Sequence, residues 1–254
     1  MKLNRTALRT IEILEYISKK KMGCTLLEIA NDMDIPKSSA FDIMKTLLYK
    51  KMIVEDMSQG KLKYRMGINS FVIGSSCLDG LDLIGAAKKH LISLAQDFDS
   101  TTFLAILDDG MVTYLYKYES QQSAITTANI GTRKSVHCTG LGKVLLAFQR
   151  DQSFVEEVLN EVDFEPRTEY TITTIPHYLD ELKKVKERGY AIDDREDTLY
   201  QVCVAAPIFN HNKKIVAAIS CVFLYEDNMK IDDIGLKAKQ TAIHISKELG
   251  YRED

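Results

Sequence analysis

The first 66 residues constrain the fold most strongly, because helix-forming and turn-forming signals alternate there in a fixed order. Apolar residues recur at helical spacing over residues 5–19. Thr25 and Glu28 have the spacing of a capping box, which predicts a second helix from Leu26 to Met33. Pro36 is placed to open a third helix. The order predicts a compact unit that begins with three short helices.

A hairpin is predicted after the third helix. Residues 52–56 and 61–65 have strand-like composition, and Gly60 lies in the connection between them. Three helices followed by a hairpin form the plan of a winged helix-turn-helix domain, whose third helix enters the DNA major groove. The apolar set of that helix comprises Phe41, Ile43, Met44, Leu47 and Leu48.

The distribution of charge points to the same domain. Residues 1–66 contain 13 Lys and Arg against 8 Asp and Glu, a net charge of +5, whereas the rest of the chain carries −8. A lysine-rich edge strand is often only a solvated guard against aggregation. The ordered motif with a basic balance instead favours contact with a polyanion. The predicted DNA-binding residues are Lys37, Ser38, Ser39, Asp42 and Lys45 on the third helix, and Lys61, Lys63 and Arg65 on the wing.

The remainder of the chain predicts a second, larger domain. A linker helix is expected within residues 67–80, and residues 81–254 mix strands and helices in an order typical of an α+β domain with an antiparallel sheet. One of the predicted strands covers residues 123–129. The five cysteines lack CxxC spacing, which argues against a disulfide framework or a zinc finger. No apolar run is long enough to cross a bilayer, so we expect a cytoplasmic protein without membrane contact.

Ordered sequence blocks recur across both regions. They are Leu26–Ala30, Ile35–Ser39, Gly131, His137–Lys143, Arg188–Asp193 with Glu196, Cys203–Ile208 and Ala217–Ser220. Together they resemble the IclR family of bacterial transcriptional regulators over nearly the whole chain. The resemblance implies a GAF-like effector-binding domain, a homodimer or dimer of dimers, and double-stranded operator DNA with two half-sites. Effectors in the family are often small carboxylates, aromatic acids or sugar acids.

The resemblance also implies positions for the effector pocket. These are Gly140, Leu141, Asp193, Cys203, Ser220 and Val222. Leu141 and Val222 stand where the family often has Ala and Ser. The pocket is therefore expected to be narrower and less polar, and no particular ligand is carried over.

The residues around this pocket suggest how an anion would be held. Thr139 can cap a helix whose first turn contains Gly140 and Gly142, leaving backbone N–H groups open to a ligand. Alternatively, these glycines only allow the helix to pack closely on the sheet. Ser220 can donate a hydrogen bond, and His137 is expected as a bonded polar group at the pocket wall.

Two carboxylates complete the predicted site. Asp193 and Glu196 can accept hydrogen bonds from ligand hydroxyls, or repel a second carboxylate. Together with the start of the capped helix and Ser220, they suit a small acid that also bears hydroxyl or keto groups. In the alternative interpretation, Asp193 only caps a local turn.

Two rival chemistries use the same residues. His137, Cys138 and Cys203, with Asp193 and Glu196, could converge on a transition metal, which would make the protein a metal sensor. Cys203 with His137 could instead form a nucleophile–base pair. The spacing matches no local metal motif, and no glycine-rich phosphate loop occurs. We therefore expect neither enzymatic activity nor a cofactor.

Overall fold

The computed structural model describes residues 3–57, 60–75, 83–121, 123 and 128–252. The chain divides into two compact units, Met1–Leu81 and Asp82–Asp254. The elements of the first unit are α1 (Arg5–Lys19), α2 (Leu26–Asp32), α3 (Lys37–Tyr49), β1 (Ile53–Asp56), β2 (Lys63–Met66) and α4 (Ile68–Ser75). This is the predicted order of three helices and a hairpin.

The capping box predicted at the start of α2 is confirmed. The Thr25 hydroxyl accepts a hydrogen bond from the Glu28 backbone N–H at 3.2 Å, and the Glu28 carboxylate accepts one from the Thr25 N–H at 2.7 Å. Both otherwise unpaired donors of the first turn are thereby satisfied. The helices enclose an apolar core that includes Ile13, Ile17, Ile29, Met44 and Leu47.

The structure corrects one residue of the predicted apolar set of α3. Ile43, Met44 and Leu47 are buried, but the Phe41 side chain is 51% exposed. With 3.6 residues per turn, the buried stripe passes through Ala40, Met44 and Leu47, and Phe41 lies beside it rather than on it.

The hairpin is antiparallel, and it is joined to the segment before α2. Val54 pairs with Arg65 and Glu55 with Tyr64, while Cys24 forms a further bridge to Tyr64. Residues 58 and 59 of the predicted turn lie outside the described residues. Lys61 precedes β2 and is not part of the strand.

The linker is described only in part. The predicted linker helix begins as α4 at Ile68, and its description ends at Ser75, because residues 76–82 lie outside the described part of the chain. The strand predicted at residues 123–129 also falls largely outside it. No helix in the described residues is long and apolar enough to span a membrane.

The second unit is built on a six-stranded antiparallel sheet in the order β5-β4-β3-β8-β7-β6. Its strands are β3 (Thr101–Asp108), β4 (Met111–Glu119), β5 (Arg133–Ser135), β6 (Ala191–Asp194), β7 (Gln201–Phe209) and β8 (Ile215–Leu224). Its helices are α5 (Leu83–Asp97), α6 (Gly140–Ala147), α7 (Gln152–Glu161), α8 (Ile175–Arg188) and α9 (Ile231–Glu248). The predicted α+β class is confirmed.

Both faces of this sheet are covered, because successive residues of a strand point to opposite sides. On β7, Val204 and Ala206 pack into the core that includes α5 and α9. Cys203 and Ala205 pack into the opposite core, which includes residues of α6, α7 and α8. Helices on both faces explain why β7 and β8 are almost continuously apolar rather than alternating.

A close backbone contact fixes the start of α6. A Cβ atom added at Gly142 would lie 2.2 Å from the carbonyl oxygen of Val136 and 2.4 Å from its Cα. At Gly140 the nearest atoms, on Ala205 and Cys203, would be 3.4 Å away, which is an ordinary contact distance. Only the second glycine of the pair is therefore required by packing.

We predict that Gly142→Ala destabilises the protein by about 2 kcal/mol, because the new methyl group overlaps backbone that cannot rotate away. Gly140→Ala is the matched control and is expected to change stability by less than about 1 kcal/mol. Urea unfolding midpoints of the two variants measure the difference. Equal losses would show that the contact with Val136 is not the constraint.

Candidate nucleic-acid interface and ligand pocket

The predicted DNA-binding residues of α3 lie on its outer side. Lys37, Ser38, Asp42 and Lys45 are exposed, and Ser39 is half-buried. Positions 38, 42 and 45 follow one another at helical spacing, so their side chains share one face. No side chain caps this helix at Pro36, and its first backbone N–H groups have no intrahelical acceptor. This end can therefore receive an anionic group such as a phosphate.

The three basic residues of the wing differ in their surroundings. Lys61 and Lys63 border a surface groove against α2, which also carries Glu28 and Asp32. Arg65 donates a hydrogen bond to the Asp56 carboxylate at 3.1 Å across the hairpin. The positive charge of the wing is thus partly balanced by acidic neighbours.

A pocket opens in the second unit between the sheet and the start of α6. The space within it that the centre of a water molecule can reach is about 50 Å³, and the pocket is partly open to solvent. It is lined by Phe103, Tyr114, Ala128, Lys134, Thr139, Leu141, Asp193, Asp197, Thr198, Gln201, Cys203, Ser220 and Val222. Six of these were predicted from the sequence: Thr139, Leu141, Asp193, Cys203, Ser220 and Val222.

The remaining four predicted residues lie behind or beside the pocket wall. Gly140 and Gly142 pack against β7 and Val136. Glu196 is buried in an ion pair with Lys143. His137 borders a separate depression with Glu165 and Arg167. Its Nδ1 lies 2.7 Å from the Ser135 hydroxyl and its Nε2 lies 3.1 Å from the Glu165 carbonyl oxygen.

The start of α6 offers fewer free donors than expected. The Thr139 hydroxyl accepts a hydrogen bond from the Gly142 N–H at 3.1 Å, as the predicted cap requires. That bond removes one of the donors predicted for a ligand. The N–H groups of Gly140 and Leu141 have no intrahelical acceptor and leave this helix end electropositive.

Asp193 serves the local turn and faces the pocket as well. Its Oδ1 accepts hydrogen bonds from the backbone N–H groups of Glu196 at 2.8 Å and Asp197 at 3.4 Å. Burial, reinforced by the nearby Glu196 and opposed by Lys143, raises the pKa of Asp193 to about 7. Near neutral pH this group therefore exists in both forms, and its protonated form can donate a hydrogen bond.

Lys134, which is not among the predicted pocket residues, contributes a cation to the described pocket lining. It pairs with Asp197, which also lines the pocket. The Cys138 thiol donates to the other oxygen of Asp197 at 3.7 Å. Lys134 lies just before the His137–Lys143 block, and no local sequence pattern indicates that its side chain faces the pocket.

Two buried hydroxyls of the pocket have few or no partners. The Thr198 Oγ1 pairs with no hydrogen-bonding group of the described residues, and the Ser220 Oγ has only the neighbouring Cys203 thiol. Buried polar atoms are nearly always hydrogen-bonded in native proteins. Since both residues line the same pocket, a polar ligand there would satisfy both groups.

The described residues form neither a metal site nor a nucleophile–base pair of Cys203 with His137. Among the described residues, no group of three or more His, Cys, Asp and Glu side chains is arranged to hold a metal ion. Both ring nitrogens of His137 are engaged away from Cys203. Burial raises the pKa of the Cys138 thiol to about 12 and that of the Cys203 thiol well above its usual value. Neither thiol is therefore activated as a nucleophile.

Comparison with known families matches both units. The model described as the IclR helix-turn-helix domain matches residues 6–56. The model described as the bacterial transcriptional regulator IclR C-terminal region matches residues 75–247. The two matches thus cover α1 to α3 and the whole pocket-bearing sheet.

Individual proteins resemble the chain along almost their entire length. The HTH-type transcriptional regulator XynR of Escherichia coli (strain K12) is 29% identical over 245 residues, which are 96% of each chain. The crystal structure of the Thermotoga maritima IclR has a TM-score of 0.79 at 29% identity, covering 97% of this chain and 99% of that one. An IclR homolog from Microbacterium hydrocarbonoxydans complexed with 4-hydroxybenzoate has a TM-score of 0.86 at 20% identity, covering 96% and 98%.

The shifted Asp193 pKa predicts a pH dependence of stability. Because the folded-state pKa of about 7 exceeds the unfolded value near 4, the folded state holds the extra proton between these values. The free energy of unfolding should therefore fall as pH rises from about 4 to about 7, by at most about 1.4 kcal/mol per pH unit from this group. Asp193→Asn keeps the acceptor oxygen and should remove this component.

Urea unfolding of both proteins across that pH range measures the effect. Asp180→Asn, on the exposed surface of α8, is the control and should leave the slope in this window unchanged. An identical pH profile for wild type and Asp193→Asn would show that Asp193 is ionised normally.

Proposed function

The chain belongs to the IclR family of bacterial transcriptional regulators, with a DNA-binding helix-turn-helix unit and an effector-binding unit, and we propose that a small hydroxy or keto acid is its effector. Occupation of the pocket would change the affinity for operator DNA. A ligand can do so only if it binds one functional state more tightly than the other. The observation that carries the proposal is the pair of buried pocket hydroxyls on Thr198, which has no partner among the described residues, and Ser220, which has only the Cys203 thiol.

The charges of the pocket support a monoanionic effector. The start of α6 and Lys134 favour a carboxylate, whereas Asp193 and Asp197 disfavour a second one. The protonated Asp193 and the two hydroxyls would then pair with hydroxyl or keto oxygens of the ligand. Apolar walls at Phe103, Leu141 and Val222 limit its size. The homolog from Microbacterium hydrocarbonoxydans, which holds 4-hydroxybenzoate, shares this fold and supports a hydroxylated acid as the ligand class.

We propose that one set of residues contacts base edges and another contacts phosphates. Ser38, Ser39 and Asp42 would face base edges, because they lie near the start of the helix that enters the major groove in this motif. Lys37, Lys45, Lys61, Lys63 and Arg65 would contact phosphates. Arg65 would exchange its partner Asp56 for a phosphate oxygen.

A homodimer is the proposed functional unit, and a dimer of dimers is compatible with it. The support is α4, where Ile68 is 67% exposed and Phe71 is 68% exposed. Apolar side chains clustered on one short helix favour contact with another protein surface. A dimer would also present two α3 helices to two operator half-sites. Sedimentation velocity of the full chain measures this state directly.

We infer that the chain acts by binding rather than by catalysis. His137 and Cys203 are not paired, and the thiol pKa values are raised. The described residues offer no ligand cluster that would support the metal-sensor alternative.

A salt titration tests the phosphate contacts. Lys45→Ala and Lys61→Ala should each weaken binding to all DNA sequences and reduce the slope of log K against log salt by about 1. Lys183→Ala, at an exposed ion pair on α8, is the control and should leave the slope unchanged. Unchanged slopes for both test variants would remove these lysines from the interface.

A thermal-shift screen tests the effector class. We expect a hydroxy, keto or sugar acid to raise the melting temperature of the full chain, because ligand binding to the folded state stabilises it. Ser220→Ala should weaken the best ligand about tenfold by removing one hydrogen bond, while DNA binding without ligand stays unchanged. Ser100→Ala removes a buried hydroxyl that lies outside the pocket and, like that of Ser220, has only a cysteine thiol beside it, so it is the matched control. Equal weakening by both variants, or no stabilising acid, would contradict the proposal.

A further inference from the structure

Phe41 is an apolar side chain in an unusual setting. Its side chain is 51% exposed on α3, and the residues four positions before and after it, Lys37 and Lys45, are charged. A single exposed apolar residue is common on protein surfaces and by itself carries no meaning. The position of Phe41 within the helix gives this one significance.

Two lysines bracket the aromatic ring along the helix. Lys37 precedes Phe41 by four residues and Lys45 follows it by four, so the three side chains form one row one turn apart. Ser38 and Asp42 form the adjacent row. The row thus presents an aromatic ring between two cations. A complementary surface would have an apolar group opposite the ring and an anionic group opposite each lysine.

Duplex DNA offers such a surface in its major groove. The groove is bordered by phosphates, and the 5-methyl group of thymine is an apolar group on the base edges within it. The match of residues 6–56 to a helix-turn-helix model makes α3 the helix that enters this groove. In that groove, Lys37 and Lys45 would contact phosphates, and the Phe41 ring would contact a thymine methyl group.

We propose that Phe41 reads thymine in each operator half-site through contact with the 5-methyl group. The inference rests on the proposed DNA contacts of α3 and adds a specificity that its polar residues do not supply. Because the ring has no hydrogen-bonding group, it distinguishes thymine only by apolar contact. Removing the methyl group alone should therefore abolish the preference.

The experiment compares thymine with deoxyuridine, which differ only by that methyl group. Operators are first enriched from a random duplex library with the full-length wild-type protein. Each thymine of the enriched site is then replaced singly by deoxyuridine, and Kd is measured by fluorescence anisotropy. At one thymine per half-site, we expect wild type to lose about fourfold in affinity, the value of one buried methyl group.

The variants separate this contact from other causes. Phe41→Ala should bind the thymine operator more weakly and show no loss at that position, whereas Phe41→Leu should keep part of the preference. Tyr49→Ala removes another exposed aromatic ring two turns further along α3 and should retain the wild-type response. Because Phe41 is exposed, all three variants should keep the wild-type urea midpoint.

The outcomes distinguish the two levels of the argument. If wild type enriches no DNA at any salt concentration, the proposed DNA contacts fail and this inference fails with them. If wild type binds an operator but Phe41→Ala shows the same thymine-to-deoxyuridine ratio at every position, only the role of Phe41 is overturned.

Discussion

The buried ion pair between Lys143 and Glu196 is the interaction on which the pocket depends. Lys143 belongs to α6 and Glu196 to the connection between β6 and β7, and the Lys143 ammonium also donates to the Ile192 carbonyl oxygen at 2.8 Å. Burying two charges is costly, and removing either partner alone leaves the other without compensation. The pair thereby holds the start of α6 against the turn that follows β6, the strand that contains Asp193. The two walls of the pocket therefore keep a fixed separation.

Local sequence signals predicted the elements well, because their causes are local. The capping box at Thr25, the turn before Pro36 and the continuous apolar run of β7 each act over a few residues. The pocket was only partly predictable. Lys134 and Thr198 come from connections whose direction is set by strand register and by the turn after β6, and neither appears as a motif. The family resemblance supplied Ser220, but the burial of its hydroxyl beside the Cys203 thiol is visible only in three dimensions.

Two departures from the expected geometry show how residue type and position differ. Hydrophobicity alone places Phe41 on the buried side of α3, but its angle on the helix places it beside the stripe of Ala40, Met44 and Leu47. The small size of Gly142 suggests an N–H group open to a ligand, but the Thr139 hydroxyl accepts the hydrogen bond from that donor. In both cases a residue's type suggested a role that its geometry assigns elsewhere.

The protonated thiols of Cys203, which lines the pocket, and of the nearby Cys138 have a chemical consequence for signalling. A thiolate beside a keto or aldehyde carbon would add to it, and once the resulting alkoxide takes up a proton the product is a covalent hemithioketal or hemithioacetal. Burial keeps Cys203 and Cys138 in the unreactive form, so carbonyl compounds would leave as readily as their non-covalent contacts allow. Because the ligand is then bound reversibly, the regulator responds to a fall in metabolite concentration as well as to a rise.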